Sequence, residues 1–322
     1  MNRREFLGSL AFLGCQGLAL NAGAALSSRG MMLAQDSPAA SAAKKGKFDD
    51  DTVVFISDLH IKPGGWQPEH LVQTINDILK MNPLPRNIIA LGDLAYLTGK
   101  PEEYALLREI IKPIERAGIT LTLGMGNHDR RENFASAFPE YAAKSQLKGY
   151  MTYVVDTPRA AFVIMDSLQE GEDHDKWITA GKIEDDQRQW LTEKLKEFTK
   201  PLFVCSHHPI NETAVKDILV NTTTCGYIHG HDHVWRPGWA KRNYSSTRIV
   251  PTLCIPSTGF WGDIGYIVLS LKEKYAVAEL KQYDFYFPKP IENIADRPLE
   301  WQFMVEDHQN QKYHFAYKYP EK

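Results

Sequence analysis

Residues 52–60 have the sequence Thr-Val-Val-Phe-Ile-Ser-Asp-Leu-His, in which a β-prone apolar run ends directly at Asp58 and His60. The next segment, residues 67–81, carries apolar side chains at helical spacing: Leu71, Ile75, Ile78 and Leu79. A strand followed by an amphipathic helix is therefore predicted here. The polar residues after the strand would lie at the rim of a sheet.

The same order of elements occurs again further along the chain. Residues 87–91 form a second apolar run before Gly92-Asp93, and a helical pattern spans Pro101 to Arg116. Residues 119–123 form a third run, which leads into Gly124-Met125-Gly126-Asn127. This alternation indicates an α/β fold with parallel strands, which bring distant residues together outside their carboxyl ends.

The second half of the chain carries the signals of a mixed sheet. The turn-like residues 157–159 separate apolar runs at 151–156 and 161–166, which predicts an antiparallel hairpin, and an amphipathic helix is expected at 184–198. Further runs are predicted as strands, the last three mainly antiparallel: 201–205, 225–228, 248–255, 266–271 and 275–286. The expected fold class is therefore α/β with an α+β part.

The N-terminus resembles a twin-arginine (Tat) export signal. Arg3-Arg4 precedes a weakly apolar stretch from Phe6 to Leu26, and glycines dilute this stretch below what a spanning helix of about 20 apolar residues needs. We expect a signal peptide at residues 1–34, no integral membrane segment in the mature chain, and a periplasmic or otherwise extracytoplasmic location. The cleavage site, lipidation at Cys15, and the alternative of a short anchor stay open.

The composition after the leader limits the domain organisation and the class of protein. Residues 35–50 contain mostly Ala, Ser, Pro and Lys, which predicts a flexible linker before a single domain at 51–322, with an aromatic-rich C-terminal extension at about 283–322. The formal net charge of -3 argues against a dedicated nucleic-acid binder. A local basic patch stays open as the alternative, formed by Arg130, Arg131, Arg236, Lys241 and Arg242. Cys205, Cys225 and Cys254 are expected to be buried free thiols, with a Cys205–Cys225 bridge as the alternative.

Five short polar segments stand at the exits of the predicted strands. Each supplies carboxylate, amide or imidazole groups, which suit a hard or borderline divalent cation, and none supplies a thiolate. The segments are Asp58-Leu59-His60, Gly92-Asp93, Gly126-Asn127-His128-Asp129, His207-His208 and Gly230-His231-Asp232-His233. Each segment is weak evidence alone, but their shared context indicates one metal site assembled from distant positions.

In this order the segments resemble the calcineurin-like metallophosphoesterase pattern, D-x-H, G-D, G-N-H-[DE], H and G-H-x-H. The resemblance covers residues 58–233, and with its D-x-H element is closest to the branch of cyclic-nucleotide and glycerophosphodiester phosphodiesterases. It implies a four-layer αββα sandwich of two mixed sheets flanked by helices, with a dinuclear metal site at the strand ends. It also implies hydrolysis of a phosphate ester by a metal-bound hydroxide.

The resemblance further implies a ligand set for two divalent metal ions, which we expect to be Mn, Zn or Fe. Asp58, His60 and His233 would hold the first ion, and Asp93 would bridge to the second. The remaining ligands of the second ion would be Asn127, His207 and His231. A bridging carboxylate is physically reasonable, since its two oxygens can serve two neighbouring cations.

His128 resembles the non-ligand histidine of the family and is the candidate catalytic residue, protonating the leaving oxygen or stabilising charge on the phosphoryl group. Asp129 is the candidate partner that orients the His128 imidazole. The alternative for Asp129 is an N-cap of a helix over residues 130–137.

Gly92-Asp93-Leu94-Ala95-Tyr96 also fits the G-D-x-x-Y element of purple acid phosphatases, in which the tyrosinate binds ferric iron. Those enzymes have D-x-G at the first motif, whereas this chain has His60 there. The sequence therefore favours a colourless centre, with Tyr96 in a pocket or packing role. Tyr96 and His208 remain weak candidates for substrate binding.

The substrate is less well defined than the reaction. Five aromatic residues near the predicted rim could stack on a base or sugar or simply pack under loops: Trp66, Tyr96, Trp235, Phe260 and Trp261. We expect a small-molecule phosphodiester as substrate and the Tat export machinery as a partner. The alternatives are a phosphomonoesterase related to purple acid phosphatases and a non-catalytic metal-binding scaffold.

Overall fold

Two six-stranded mixed sheets organise the computed structural model, which describes residues 48–241, 248–286 and 311–319. The predicted signal peptide, most of the linker and much of the C-terminal extension lie outside these residues. No helix in the described ranges has the length and apolar character needed to cross a membrane.

The first sheet has the strand order β12-β11-β10-β1-β2-β3. Its parallel half contains β1 (Phe48–Ile56), β2 (Leu84–Ala90) and β3 (Thr120–Leu123). The helices α1 (Gln67–Leu79) and α2 (Pro101–Ala117) follow β1 and β2 and bury their apolar faces, as the helical spacing predicts. The antiparallel half contains β10 (Gly262–Leu271), β11 (Tyr275–Tyr286) and β12 (Lys312–Ala316).

The second sheet has the order β4-β5-β6-β7-β9-β8. The hairpin of β4 (Tyr153–Asp156) and β5 (Ala161–Ile164) forms where the turn signal predicts it. The strands β6 (Leu202–Ser206), β7 (Thr224–His229) and β9 (Ile249–Cys254) continue parallel to β5, and β8 (Arg236–Lys241) closes the other edge antiparallel to β9. The run 248–255 is therefore parallel to β7, not purely antiparallel.

Four short helices complete the described fold. These are α3 (Arg131–Ala137), α4 (Pro139–Ala142), α5 (Asp185–Lys194) and α6 (Lys216–Val220). The helix expected at 184–198 is shorter than the apolar pattern suggested, since its last residues form turns.

Aromatic rings connect the two sheets through the core. Phe55 of β1 contacts Phe162 of β5 edge to face at 5.7 Å, Phe162 stacks on Phe203 at 5.2 Å, and Phe203 contacts Phe315 of β12 at 5.3 Å. All four side chains are fully buried. Aromatic pairs of this geometry add stabilisation beyond the area they bury, so they hold the sheets face to face.

Two boundaries differ from the sequence-based expectation. β1 begins at Phe48, which is paired with Leu84, so residues 48–50 belong to the sheet and not to the linker. The C-terminal segment contains β12, an edge strand with the buried Phe315, and so contributes to the core instead of extending beyond it. Cys205, Cys225 and Cys254 are buried free thiols, as expected, and the Cys205–Cys225 bridge is not formed.

The strand ends determine where the site lies. β1, β2 and β3 end just before Asp58, Asp93 and Asn127, and β6 and β7 end just before His207 and His231. Because these strands are parallel within their sheets, their carboxyl ends face one rim of the sandwich.

Candidate metal centre

The turns that leave the strands have an unusual backbone. Five of the seven candidate ligands have positive φ angles: Asp58 (54°), His60 (45°), Asp93 (49°), His231 (70°) and His233 (56°). A left-handed conformation costs a non-glycine residue on the order of 1 kcal/mol, and such strain clusters at functional sites. This left-handed backbone conformation directs the five side chains inward from the strand ends.

Glycines allow the turns to approach each other. A Cβ atom at Gly126 would lie 2.2 Å from Oδ1 of Asp93, and one at Gly230 would lie 2.0 Å from Oγ of Ser57 and 2.5 Å from Oδ2 of Asp58. Any larger residue at either position would push a candidate ligand away. The two glycines of the sequence motifs thus act by leaving space for carboxylates.

Asp58, His60 and His233 form the first donor set. Oδ1 of Asp58 lies 3.0 Å from Nε2 of His233, and Nε2 of His233 lies 3.4 Å from Nε2 of His60. All three side chains are almost completely buried. These ligand atoms come from two sheets and converge on one point.

Asn127, His207 and His231 form the second donor set. Nε2 of His207 lies 3.2 Å from Oδ1 of Asn127 and 3.3 Å from Nδ1 of His231. The backbone amide of His231 also donates to Oδ2 of Asp58, at 3.2 Å. This bond connects the two sets through the turn after β7.

Asp93 stands between the sets. Its Oδ2 lies 3.2 Å from Nε2 of His207 and 3.6 Å from Nε2 of His60. Its Oδ1 accepts a hydrogen bond of 2.8 Å from the backbone amide of His128. One carboxylate oxygen therefore faces a member of each set.

The protonation of the imidazoles fits a pair of cations. Nδ1 of His60 lies 2.8 Å from the carbonyl oxygen of Tyr96, and Nδ1 of His233 lies 2.9 Å from that of Trp261. A carbonyl oxygen only accepts, so each Nδ1 carries a proton and each Nε2 is directed toward the other candidate ligands. The two Nε2 atoms lie 3.4 Å apart, and that of His233 is 3.0 Å from Oδ1 of Asp58. In many metal sites a second partner at the other ring nitrogen orients the histidine in this way.

The charges of the candidate ligands also suit cations. Burial opposes ionisation of Asp58, but the His233 and His207 imidazoles lower its pKa below the ordinary value. Burial likewise opposes ionisation of Asp93, whose pKa the His207 and His128 imidazoles hold well below its usual range. Burial lowers the pKa of His60 to about 3. Although burial disfavours the imidazolium of His207, Asp93 and Asp58 raise its pKa to about 9.

These residues thus keep two carboxylates ionised and draw positive charge to His207. A site that attracts a proton onto an imidazole between two carboxylates is suited to binding cations instead. Residue clusters of this kind, with buried aspartates and histidines within 4.8 Å of one another, indicate a dinuclear metal site.

His128 lies at the edge of the site and is partly exposed, with 13% of its side chain accessible. Its Nδ1 lies 2.8 Å from the carbonyl oxygen of Leu97, so the proton is on Nδ1. Its Nε2 lies 4.0 Å from Oδ2 of Asp93. Burial lowers the pKa of His128, although Asp93 partly offsets this effect.

Asp129 has a different role from either interpretation of the sequence. Its carboxylate accepts hydrogen bonds from the backbone amides of Leu94, Ala95 and Gly126 and from the hydroxyl of Tyr104. His128 is oriented by Leu97 instead, and α3 has Arg130 at its N-cap with no side-chain cap. Burial, helped by Asp93, raises the pKa of Asp129 to about 7. Asp129 therefore ties the turn after β2 to the turn after β3.

The weaker candidates also have defined places. Tyr96 contributes its carbonyl oxygen to His60, while its ring lies 5.6 Å from Phe260 and under Nζ of Lys62 at 4.4 Å. His208 is buried, with Nδ1 2.8 Å from Oγ of Ser167 and its ring 4.7 Å from that of His231. His208 thus adjoins the second donor set, with a ring nitrogen within 4.8 Å of ligand atoms of His207 and His231.

Four of the five aromatic residues proposed for the rim lie together beside the first donor set. Phe260 lies 4.5 Å from the ring of His60 and stacks with Trp66 at 6.4 Å. Trp261 lies 4.4 Å from the ring of His233. Trp235 is buried and packs in the core. Tyr96, Phe260, Trp66 and Trp261 therefore form an aromatic wall.

The basic residues near the site are already engaged within the chain. Arg130 and Arg131 bind loop carbonyls and carboxylates, and Arg236 pairs with Asp232. Arg242 lies outside the described residues. These three arginines are therefore engaged in contacts within the chain.

Several contacts at the site have no signal in the sequence. The carbonyl oxygens of Tyr96, Leu97 and Trp261 orient three histidines, and the ring of Trp177 lies 4.9 Å from that of His128. Backbone oxygens carry no residue-specific pattern, and Trp177 stands in a loop that has no periodicity.

A profile of the calcineurin-like phosphoesterase family matches residues 52–235, more than half of the chain. The matched range includes every candidate ligand.

Two curated relatives match the chain. It is 27% identical over 182 residues to a probable glycerophosphodiester phosphodiesterase of Arcobacter nitrofigilis, covering 54% of this chain and 63% of the relative. It is 27% identical over 212 residues to a probable cyclic nucleotide phosphodiesterase of Rhodopseudomonas palustris, covering 57% of this chain and 73% of the relative. The first match thus spans less than two thirds of that relative's own length.

Among solved structures, a dimetal phosphatase of Danio rerio is similar, with a TM-score of 0.59 at 14% identity, and the match covers 83% of this chain and 99% of that one. At this identity the likeness concerns the fold. It confirms the expected α/β architecture of two mixed sheets flanked by helices.

We predict that Gly126→Ala lowers metal affinity by about 10- to 100-fold, as expected when the support of a ligand is disturbed. The added methyl group would displace the Asp93 carboxylate, which lies 2.2 Å from the position of the new Cβ. Isothermal titration of the metal-free protein with Mn²⁺ measures the effect. Gly171→Ala is the matched control, because its Cβ would meet only Ile178 at 3.7 Å. Equal affinity in both variants would contradict the packing described.

Proposed function

The chain belongs to the calcineurin-like phosphoesterase family, and from this premise we propose that it is a metal-dependent hydrolase that cleaves phosphodiesters in preference to phosphomonoesters. The position of Asp93 carries the proposal, since its Oδ2 faces Nε2 of His207 at 3.2 Å and Nε2 of His60 at 3.6 Å. Two donor sets that share one carboxylate suit the pair of cations that phosphate-ester hydrolases use.

Each candidate ligand then has an assigned place. Asp58, His60 and His233 would hold one cation, Asn127, His207 and His231 would hold the other, and Asp93 would contact both. When bound, two such cations supply a water of lowered pKa and neutralise charge on the phosphate. The proposed ions are Mn, Zn or Fe(II), and not a ferric ion bound to a tyrosinate. Tyr96 supports this choice, because it meets the site through its carbonyl oxygen while its ring packs against Phe260.

His128 is proposed to handle the leaving group. Its Nδ1–H donates to the carbonyl oxygen of Leu97, so Nε2 is the atom that faces the site and would exchange a proton there. Burial favours the neutral imidazole in the free protein, and a bound phosphodiester anion would favour the imidazolium. The proton on Nε2 would then pass to the departing alkoxide oxygen.

Two observations support the preference for diesters: the similarity to two relatives and the aromatic wall beside the first donor set. The two curated relatives are both named as phosphodiesterases. The aromatic wall lies beside the first donor set, where it would contact the second alcohol of a diester that a monoester lacks. The nearest ring of this wall, Phe260, lies 4.5 Å from His60.

We also propose, on the sequence of the leader alone, that the protein is exported through the Tat machinery and acts on extracytoplasmic phosphate esters. The twin arginine Arg3-Arg4 supports this. Replacing both with lysine should retain the protein in the cytoplasm. Unchanged appearance of this variant in the periplasmic fraction would refute export by this route.

A panel of esters tests the reaction class. The metal-free protein, supplied separately with Mn²⁺, Zn²⁺ or Fe²⁺, should hydrolyse bis(4-nitrophenyl) phosphate faster than 4-nitrophenyl phosphate. Removal of the metal with a chelator should abolish both activities. Faster cleavage of the monoester would instead favour a phosphomonoesterase, and tight metal binding with no hydrolysis of either ester would favour a non-catalytic scaffold.

We predict that the loss of turnover caused by His128→Ala depends on the leaving group of the ester. Nitrophenolate departs without a proton, whereas an alkoxide needs one, so turnover of an alkyl diester should fall by about 10²- to 10⁴-fold and that of bis(4-nitrophenyl) phosphate far less. Metal content should stay at the wild-type level, because His128 is in neither donor set. An equal loss on both substrates would indicate charge stabilisation at the phosphoryl group in place of proton transfer.

A further inference from the structure

The chain between β5 and α5 forms a compact loop that contacts the site through Trp177. The backbone amide of Lys182 donates to the carbonyl oxygen of Ser167 at 3.0 Å and closes the loop, and Gln169 bonds across it to the carbonyl of Ala180 at 2.8 Å. We call residues 167–182 the cap loop. Compact loops with joined ends often carry functional residues.

Arg130 stabilises the cap loop through hydrogen bonds to its backbone. Its buried guanidinium donates to the carbonyl oxygens of Gly171, Asp173 and Lys176, at 3.1, 2.8 and 2.8 Å. A planar guanidinium presents several donors in fixed directions, and so can satisfy three carbonyls of one loop at once. Arg130 thereby fixes the residues immediately before Trp177.

Arg131 holds the start of the same loop. It donates to both carboxylate oxygens of Asp166, at 2.7 and 2.8 Å, and to the carbonyl oxygen of Leu168 at 2.8 Å. Asp166 also accepts a bond from the backbone amide of Met151. Both arginines directly follow the Gly126–Asp129 turn, so the cap loop is fastened to the turn that carries His128.

Trp177 is the residue that the cap loop brings to the site. Its ring centroid lies 4.9 Å from that of His128, inclined by 49°, and the ring of His60 lies 5.1 Å from His128, inclined by 60°. The bond from Nδ1 to Leu97 fixes a third direction. The imidazole is thus bounded by two rings and one carbonyl oxygen, with Nε2 left to face the donor sets.

We propose that Trp177 is a positioning residue, which holds the His128 imidazole with Nε2 toward the reacting phosphate, and that Arg130 acts through Trp177 by fixing the cap loop. This inference rests on the proposed function, in which His128 delivers a proton to the leaving oxygen. Without the indole, the imidazole would gain rotational freedom and the Leu97 bond would weaken. Loss of orientation of this kind lowers turnover more than substrate binding.

Steady-state kinetics of Trp177→Ala test the proposal. With Mn²⁺-loaded enzyme, kcat for an alkyl diester should fall by about tenfold or more, while kcat for bis(4-nitrophenyl) phosphate changes much less and KM stays near the wild-type value. Trp177→Phe should recover most of the loss, because a phenyl ring still bounds the imidazole. A general loss of structure would lower both activities together and would appear in the melting temperature.

The matched control is Trp239→Ala, which removes the same side chain from a position on β8 that is 63% exposed. It should leave both activities and the metal content unchanged. The positioning role is wrong if Trp177→Ala, like this control, leaves kcat for the alkyl diester unchanged. It is also wrong if Trp177→Ala lowers kcat equally for both substrates.

A double-mutant cycle tests the part assigned to Arg130. Arg130→Lys removes the fork to three carbonyls and should reproduce the leaving-group-dependent loss, and adding it to Trp177→Ala should reduce kcat no further. Additive losses would contradict action through Trp177.

Nitrogen NMR of His128 in the metal-free protein gives a readout that needs no turnover. The wild type should show the proton on Nδ1 alone, and Trp177→Ala should show exchange between both nitrogens.

These outcomes separate the two proposals. If the wild-type protein binds metal and hydrolyses no ester, the proposed function fails, and the NMR result then stands alone as a test of the contact between Trp177 and His128. If the wild type hydrolyses diesters and Trp177→Ala keeps the full rate on the alkyl diester, the proposed function stands and the positioning role fails.

Discussion

The structure depends on a buried cluster of electron-pair donors. Oδ1 of Asp58, Oδ2 of Asp93 and the Nε2 atoms of His60 and His233 face one another at 3.0 to 3.6 Å within the protein. Such groups repel one another away from water unless protons or cations lie between them. Asp93 and Asp58 raise the pKa of His207 to about 9 against the effect of burial, so the two carboxylates attract positive charge.

The surrounding fold maintains this arrangement at several levels. Five left-handed residues direct the ligands inward, and the absence of side chains at Gly126 and Gly230 lets the turns approach each other. Asp129 ties two of the turns by accepting four hydrogen bonds. Backbone strain of this kind persists only where the surrounding contacts determine the conformation, and here the two packed sheets provide them.

Much of the site could be predicted because its ligands follow apolar strands at recognisable points. Asp58, Asp93 and Asn127 each stand after a parallel strand, so their convergence follows from the sheet itself. The contact partner of His128 could not be predicted in the same way. Asp129 stands beside it in the sequence, yet its carboxylate turns toward the amides of Leu94 and Ala95, and Leu97 binds the imidazole.

The remaining differences have similar physical causes. β12 pairs with β11, which is distant in sequence, so no local pattern indicates the pairing. The many aromatic residues around β12 instead suggest an extension without regular structure. The acidic residues at 49–51 interrupt the apolar pattern of β1, although the strand continues through them to Phe48. Trp177 is placed by hydrogen bonds from Arg130 to backbone carbonyls, which leave no trace in the pattern of side chains.

The most direct test of the central claim is electron paramagnetic resonance of the Mn²⁺-loaded protein, combined with metal analysis. We predict two Mn²⁺ ions per chain with the spectrum of an exchange-coupled pair, since cations bridged by one carboxylate lie about 3.5–4 Å apart. Asp93→Asn should lose the coupling. A single ion per chain, or two uncoupled ions in the wild type, would contradict a dinuclear centre that shares Asp93.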